Sequence, residues 1–466
     1  MNEKNRILKI SGLILTTTSS LIGINYLLLN YFPANISYRY LNKIQNLTKL
    51  FNKSTELNIN SFLFSIICNN FYPKSNFNSK ENNKLKQNIL EKKILFNKEL
   101  ALPFGLSSDF DITGTKIKGL NQNLGIEFIE LGPSYENFNS AMLYDQENLL
   151  SFNVAKKLFE EFFNTIKIYK YFDINNNSYL VNNKFSNENH NLYIVAKNIQ
   201  KYMIKKLKNS NSFNNSLFIG INIRIRDEFI NKSPYLTNEV FYNTILQAVG
   251  TTDFITVDLS NYENNYISSK LLNNTSNLFN FINNIDIGIT NYYKSSCKII
   301  NENVNNNSNN HNKIKNEITR LPYTVYFKDK PKLFFKINFD EIQNIESTLN
   351  TIVDSKAVDG IIVDTSIVKK NITNNKENII IIDSDVNKEK AMKNLQTVKL
   401  FKEKYNNNKE LKFIISGGAL NGKDIALFYN KGADFVLINS LIITKGILSF
   451  NKLIDEYLEE KNKLNF

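Results

Sequence analysis

From Leu102 onward the chain alternates short apolar runs with longer helical segments, and it does so eight times. The runs are Phe104–Phe110, Glu127–Gly132, Leu217–Ile223, Phe254–Leu259, Lys332–Ile337, Gly360–Thr365, Phe413–Gly418 and Phe435–Ser440. Each is mostly apolar throughout, which is the pattern of a strand covered on both faces. Strands spaced by helical segments give the α/β class with a parallel sheet. Eight such units fit a closed (β/α)8 TIM barrel, which takes about 250 residues. A doubly wound open sheet is the alternative.

The last two strands carry the most local chemistry. Phe413-Ile-Ile-Ser-Gly-Gly-Ala-Leu-Asn-Gly-Lys-Asp424 is followed by Gly432-Ala-Asp-Phe-Val-Leu-Ile-Asn-Ser440. This predicts a strand ending in a glycine pair, a helix, a Gly-Ala turn and a second strand. In (β/α)8 barrels the loops after strands seven and eight, with a short extra helix, hold a phosphate. Gly417 and Gly418 carry no side chain, so backbone N–H groups there can come close to an anion. The plainer alternative is a Gly-Gly turn that only closes the strand–helix connection.

Composition bounds the rest. The chain has 466 residues, a formal charge of +13 and a pI near 9.2. The positive charge is lysine scattered among asparagines, without an Arg-rich helix or aromatic–basic interleaving, so it does not point to nucleic acid. Cys68 and Cys297 form no CxxC, which excludes a disulfide framework and a zinc site. His190 and His311 both lie in Asn-rich polar stretches, which argues against a histidine-based mechanism. At the N-terminus, Lys4, Arg6 and Lys9 precede an uncharged run from Ile10 to Phe32. A run of that length predicts a membrane anchor, with a cleaved signal sequence or a buried helix as alternatives. The expected organisation is an anchor or targeting segment over 1–33, a polar helical region over 34–100, and the barrel over 101–466. Asn-rich insertions around 172–192, 206–216 and 301–320 have the composition of disordered surface loops. A last helix from about Leu448 to Leu458 turns Phe450, Leu453, Ile454 and Tyr457 to the core.

Taken in order, these segments resemble a divergent membrane-bound, quinone-using (class 2) dihydroorotate dehydrogenase over about residues 100–460. Pro103–Asp111 is similar to the first strand and its loop, and Phe128–Gly132 to the second strand. Gly220–Ile223, Phe254–Ser260, Leu333–Ile337 and Asp359–Val363 are similar to the third to sixth strands. Ile415–Ala426 and Ile438–Ser440 are similar to the C-terminal corner. The resemblance implies non-covalent FMN in the barrel mouth, dihydroorotate against it, and a quinone reached from the N-terminal helices of a protein in the inner mitochondrial membrane. It implies cofactor contacts at Asn222, Lys336, Gly417, Gly418, Asn439 and Ser440. It implies substrate contacts at Asn148 and Asp258. A cation at Lys336 would stabilise a reduced, anionic flavin.

The residues also depart from that pattern. The serine that takes the substrate proton in class 2 enzymes corresponds to Asn261, an amide with no useful basicity. Ser260 and Glu263 are the substitute candidates. Asp258 and Glu263 replace asparagines, which sets carboxylates toward an anionic substrate. Asp109 and Ile112 replace a glycine and a lysine of the first loop, and no arginine lies between Arg39 and Arg224 to serve a quinone site. Three functions follow as expectations. One is oxidation of dihydroorotate to orotate in pyrimidine synthesis. Another is a degenerate barrel serving as a non-enzymatic membrane-associated subunit with protein partners. The third is an FMN barrel acting on a neutral or cationic substrate.

Overall fold

The computed structural model describes residues 93–96, 98–108, 111, 114–122, 124–134, 171–173, 178–182, 192–209, 217–224, 242, 244–246, 248–260, 271–306, 329–370, 378–382, 385–405, 411–438, 441–445 and 450–464. In chain order the strands and helices begin with β1 (Lys93–Leu95), β2 (Lys98–Leu100), β3 (Gly105–Leu106), α1 (Ile117–Gln122) and β4 (Phe128–Ser134). Next come β5 (Tyr171–Asp173), β6 (Ser178–Asn182), α2 (Leu192–Asn209), β7 (Phe218–Arg224), β8 (Phe254–Asp258), α3 (Thr275–Asn306) and β9 (Lys332–Ile337). They continue with α4 (Ile345–Ser355), β10 (Gly360–Asp364), β11 (Ile367–Lys370), β12 (Asn378–Ile382) and α5 (Asp385–Lys404). The last are β13 (Lys412–Ser416), α6 (Gly422–Asn430), β14 (Phe435–Ile438), α7 (Leu441–Lys445) and α8 (Phe450–Leu464).

Eight of these strands close a parallel barrel in sequence order, β3-β4-β7-β8-β9-β10-β13-β14, with β14 paired back to β3. All eight coincide with the apolar runs read from the sequence, and the closed barrel replaces the open-sheet alternative. The strands are buried end to end because helices cover their outer faces. α2 shows how: Leu192, Val195, Ala196 and Ile199 recur at helical spacing and are buried. α8 does the same with Phe450, Leu453, Ile454 and Tyr457. It lies so close to α6 that a Cβ on Gly422 would sit 1.9 Å from the Leu453 carbonyl oxygen.

Inside the barrel, phenylalanines alternate with glycines. Phe128, Phe254 and Phe334 meet with ring centroids 4.8 and 4.9 Å apart, and Phe435 joins Phe128 at 5.0 Å. Gly105 and Gly220 lie under these rings, where a Cβ would come within 2.7 Å of Phe128 and 1.9 Å of Phe254. The result is an aromatic floor across the N-terminal half of the barrel, built as a filled layer.

The segment expected to be polar and helical up to residue 100 ends in a β-hairpin. β1 and β2 pair antiparallel, and Phe96 at their turn has φ +50°, a backbone region uncommon for a bulky residue. Phe96 sets its ring 5.4 Å from Phe334 and 6.1 Å from Phe218, beneath the floor. Lys98 ties the hairpin to the barrel through Asp253 and the Leu217 carbonyl oxygen.

A second sheet, β11-β12-β6-β5, is antiparallel. Its two hairpins are inserted after the C-terminal ends of β4 and β10. Tyr171–Asp173 and Ser178–Asn182 therefore form strands where the Asn-rich composition around 172–192 pointed to a disordered loop. Among the described residues no helix is long and apolar enough to cross a membrane. The anchor expected over 1–33 lies outside the described residues, as do His190, His311 and Cys68.

Candidate active site at the barrel mouth

Strand period fixes which side chains reach the lumen. Phe128, Phe254 and Phe334 face inward, so Glu130, Thr256 and Lys336, two residues further on, do too. Gly220 under the Phe254 ring places Asn222 and Arg224 on the inner face of β7, and one more step on β8 adds Asp258. Gly360 lies against Phe334, which turns Asp364 inward on β10. A polar layer thus sits on the aromatic floor at the C-terminal ends of the strands, where barrel chemistry resides.

This layer is wired together. The buried Glu130 carboxylate accepts from the Ser108 N–H at 2.9 Å, the Ser107 hydroxyl at 3.4 Å and Asn222 Nδ2 at 3.2 Å. Asn222 Nδ2 also donates to Asp258 at 3.2 Å. Only the amide nitrogen can sit between two carboxylates, so Oδ1 must point elsewhere. Arg224 closes on Asp258 Oδ2 with Nη2 at 2.7 Å and Nε at 3.2 Å. The Ser260 hydroxyl donates to Asp258 Oδ1 at 2.6 Å, and Lys336 stands opposite Asp258 in the β8–β9 register. Burial by itself would raise the Asp258 carboxyl. The Arg224 and Lys336 charges and the Ser260 hydrogen bond overcome it and hold the group at about 2. Asp258 is therefore an ionised carboxylate compensated by Arg224, Lys336 and Ser260.

A second group of charges forms the rim between β9, β10 and α5. Lys390 of α5 donates to Asn338 Oδ1 at 2.8 Å and to the Ser366 carbonyl oxygen at 2.9 Å, and it pairs with Asp340 at 2.7 Å. The Ser366 hydroxyl donates to Asp364 at 2.6 Å. Burial pushes the Asp364 carboxyl up to about 6 against that hydrogen bond and the Lys390 charge. Burial likewise carries Glu341 to about 7 against Lys390, with the Asp258 and Asp340 charges adding to the rise.

Four buried oxygens in the barrel strands and their loops have no partner: Ser108 Oγ, Ser134 Oγ, Asn222 Oδ1 and Thr256 Oγ1. Buried polar atoms are rarely left so, and a group of them marks room for water or a ligand with matching donors and acceptors. Among the described residues no cluster of His, Cys, Asp or Glu could hold a metal ion.

At the Gly-Gly corner, Gly417 and Gly418 have φ +81° and +78°, a conformation that favours glycine. The Gly417 N–H is engaged with the Leu437 carbonyl oxygen at 3.0 Å. A Cβ on Gly418 would lie 2.8 Å from the Asn387 carbonyl oxygen of α5. Glycine at 418 is thus required by packing whether or not an anion binds. At the start of α6, the Gly422 N–H is taken by Glu456 at 3.0 Å and the Asp424 N–H by Asn421 at 3.0 Å.

The barrel brings Asn222, Asp258, Ser260 and Lys336 into one cluster on β7, β8 and β9, and sets Gly417 and Gly418 at the end of β13, beyond β10. Asn148, Asn261, Glu263, Asn439 and Ser440 lie outside the described residues, as do Asp109 and Ile112. Sequence reasoning did not single out Glu130, Arg224, Glu341, Asp364 or Lys390. Strand parity could have found three of them, since Glu130, Arg224 and Asp364 each lie an even number of residues from an inward Phe or Gly on the same strand.

The residues fit the ring of a flavin better than its phosphate. A buried Lys336, a floor of aromatic rings and the unpartnered Asn222 Oδ1 and Thr256 Oγ1 suit a planar, amide-bearing ring. The phosphate end would rest on the glycine corner, where the Gly417 N–H is already engaged. Asp258 of this set already draws on Lys336, so any ring bound there shares that cation.

No protein-family profile and no curated protein matches the sequence. Solved structures do. The chain is similar to a dihydroorotate dehydrogenase (DHODH) from Eimeria tenella in complex with ferulenol, at 13% identity and TM-score 0.50, over 84% of this chain and 93% of that one. It is also similar to the ligand-free type of DHODH from Eimeria tenella, at 15% identity and TM-score 0.53, over 81% and 89%. With those proteins this chain shares the dihydroorotate dehydrogenase-like (β/α)8 barrel fold.

Proposed function

We propose that this chain is an FMN-dependent oxidoreductase built on the dihydroorotate dehydrogenase plan. Dihydroorotate to orotate, with a quinone acceptor at the inner mitochondrial membrane, is the reaction that its sequence resemblance implies. The observation that carries the flavin reading is Lys336. It is 3% exposed on the lumen side of β9, in a layer that also holds the unpartnered Thr256 hydroxyl of β8 and Asn222 amide oxygen of β7. A buried lysine needs a reason, and a redox ring that gains negative charge supplies one. FMN, when bound, would accept a hydride. The chain's own part is to set Lys336 opposite Asp258, to fix the Asn222 amide between Glu130 and Asp258, and to exclude water with the aromatic floor. Ser260 donates its proton to Asp258, so its oxygen keeps lone pairs for a further proton.

A second reading is a barrel without catalysis, acting as a membrane-associated subunit. The Arg224–Asp258 pair favours it, because these two side chains join the adjacent ends of β7 and β8 and so have a purely structural use. The absorbance spectrum of the purified full chain separates the two. Flavin bands that co-purify, or that appear on adding FMN and persist through gel filtration, are expected. Their loss in Lys336→Met, with the fold retained by circular dichroism, would assign the ring to this site. A chain that never retains flavin leaves the non-catalytic reading in place.

A further inference from the structure

We propose that Glu130 is a positioning residue for the cofactor ring: it holds the Asn222 amide in the orientation that turns an acceptor, Oδ1, to the ring N–H of a flavin. This rests on the flavin reading and adds to it a residue that touches no ligand itself.

Glu130 is fully buried on β4, and its partners among the described residues are neutral: the Ser108 N–H at 2.9 Å and the Ser107 hydroxyl at 3.4 Å on Oε2, and Asn222 Nδ2 at 3.2 Å on Oε1. A glutamine has nearly the same shape and is easier to bury among such partners. It differs in one respect: it accepts at one end and donates at the other, whereas a carboxylate accepts at both. This position needs both acceptors. A backbone N–H can only donate, so a glutamine oxygen would be drawn to Ser108 and its NH2 group would face Asn222 Nδ2, donor against donor.

Asn222 is where the second acceptor matters. It is fully buried on β7, and its Nδ2 also lies 3.2 Å from Asp258 Oδ2 of β8. Its amide has a donor end and an acceptor end of nearly equal shape, so its partners decide which way it faces. Turned over, it would set Oδ1 against Glu130 and Asp258 and lose both hydrogen bonds. Asp258 Oδ2 divides itself between Asn222 and Arg224, which donates to it from Nη2 at 2.7 Å, whereas Glu130 Oε1 serves Asn222. With Nδ2 held on both sides, Oδ1 is left buried and unpartnered. That oxygen can only accept, and an oxidised flavin ring has one N–H to offer it.

The full chain is titrated with FMN and with FMN methylated at that ring nitrogen, followed by the quenching of flavin fluorescence. In the parent the methylated flavin is expected to bind at least about tenfold more weakly, a difference of roughly 1.4 kcal/mol. In Glu130→Gln, FMN should lose about tenfold while the methylated flavin loses little, so the ratio between them falls toward one. A residue that only supports the fold would weaken both flavins alike and leave the ratio as it is in the parent. Glu130→Asp draws the carboxylate back from Asn222 by one methylene, and should lower the ratio in the same direction if the first variant does not fold. Equal binding of the two flavins by the parent, or a ratio that the folded variant leaves unchanged, overturns the proposal and leaves the flavin reading standing, since FMN is bound. A parent that binds neither flavin overturns both.

Discussion

Arg224 and Asp258 decide how the mouth is held together. Their side chains are 17% and 0% exposed, so the pair sits mostly out of water. Removing one partner of a buried pair leaves an uncompensated charge and costs about 3–5 kcal/mol, more than the pair itself contributes. Arg224→Ala should therefore destabilise the chain by roughly 3 kcal/mol, the lower end, because Lys336 still faces Asp258. Adding Asp258→Asn should return a substantial part of that loss. Urea midpoints of the parent, both single variants and the double variant give the coupling directly. Strict additivity would mean that the pair is an exposed contact of little consequence. At this scale the sequence was only partly legible. Lys336 stood out as a lysine inside an apolar run, and Asn222 and Asp258 only through the family resemblance. Arg224 lies one residue beyond the run Leu217–Ile223 and carried no site expectation. Lys390 and Glu341 come from a helix and a short turn far along the chain, and nothing local says that they converge.

The elements were more legible than the residues, for a reason visible in the floor. A strand buried on both faces must be apolar throughout, and that requirement is local. The Phe–Gly alternation is not, because it depends on neighbours across the barrel. Gly220 tests it. A Cβ there would overlap the Phe254 ring at 1.9 Å, so Gly220→Ala should cost about 1–3 kcal/mol by overpacking. Phe254→Leu should also destabilise alone, by creating a cavity. Together the two changes should cost less than the sum of the singles, because the smaller side chain vacates the space that alanine needs. If the losses simply add, the ring and the glycine do not share that space. Two other elements escaped the sequence. β1 and β2 are three residues each, too short for a period, and their hairpin is held by Phe96 against Phe218 and Phe334. β5 and β6 lie in Asn-rich surroundings, where composition outweighed the short apolar core of Tyr179-Leu-Val181.

For the molecule as a whole, a barrel whose mouth buries several carboxylates should show an unusual dependence of stability on pH. Asp364 and Glu341 carry folded-state values raised to about 6 and about 7, above the ordinary carboxylate range. Between those values and their unfolded ones, near 4, the folded chain binds more protons than the unfolded chain. Stability contributed by these groups is therefore full below about pH 4 and falls as pH rises toward 7. Asp258 works in the opposite sense. Its folded value of about 2 contributes stability that is present above about pH 4 and is lost as pH falls through 2. The three groups together favour a stability maximum on the acid side, near pH 4–5. Asp364 is 3% exposed, so its share is little screened and reaches up to about 3 kcal/mol at neutral pH. Asp364→Asn should flatten the decline between pH 4.5 and 7, making the variant relatively more stable as pH rises. Urea midpoints across that interval are the measurement. Parallel profiles for parent and variant would mean that Asp364 ionises as an ordinary solvated carboxylate, and that the mouth is open to water at β10. A converging or crossing pair of profiles would tie the polar layer, and not the surface lysines that dominate the net charge, to the pH response of the fold.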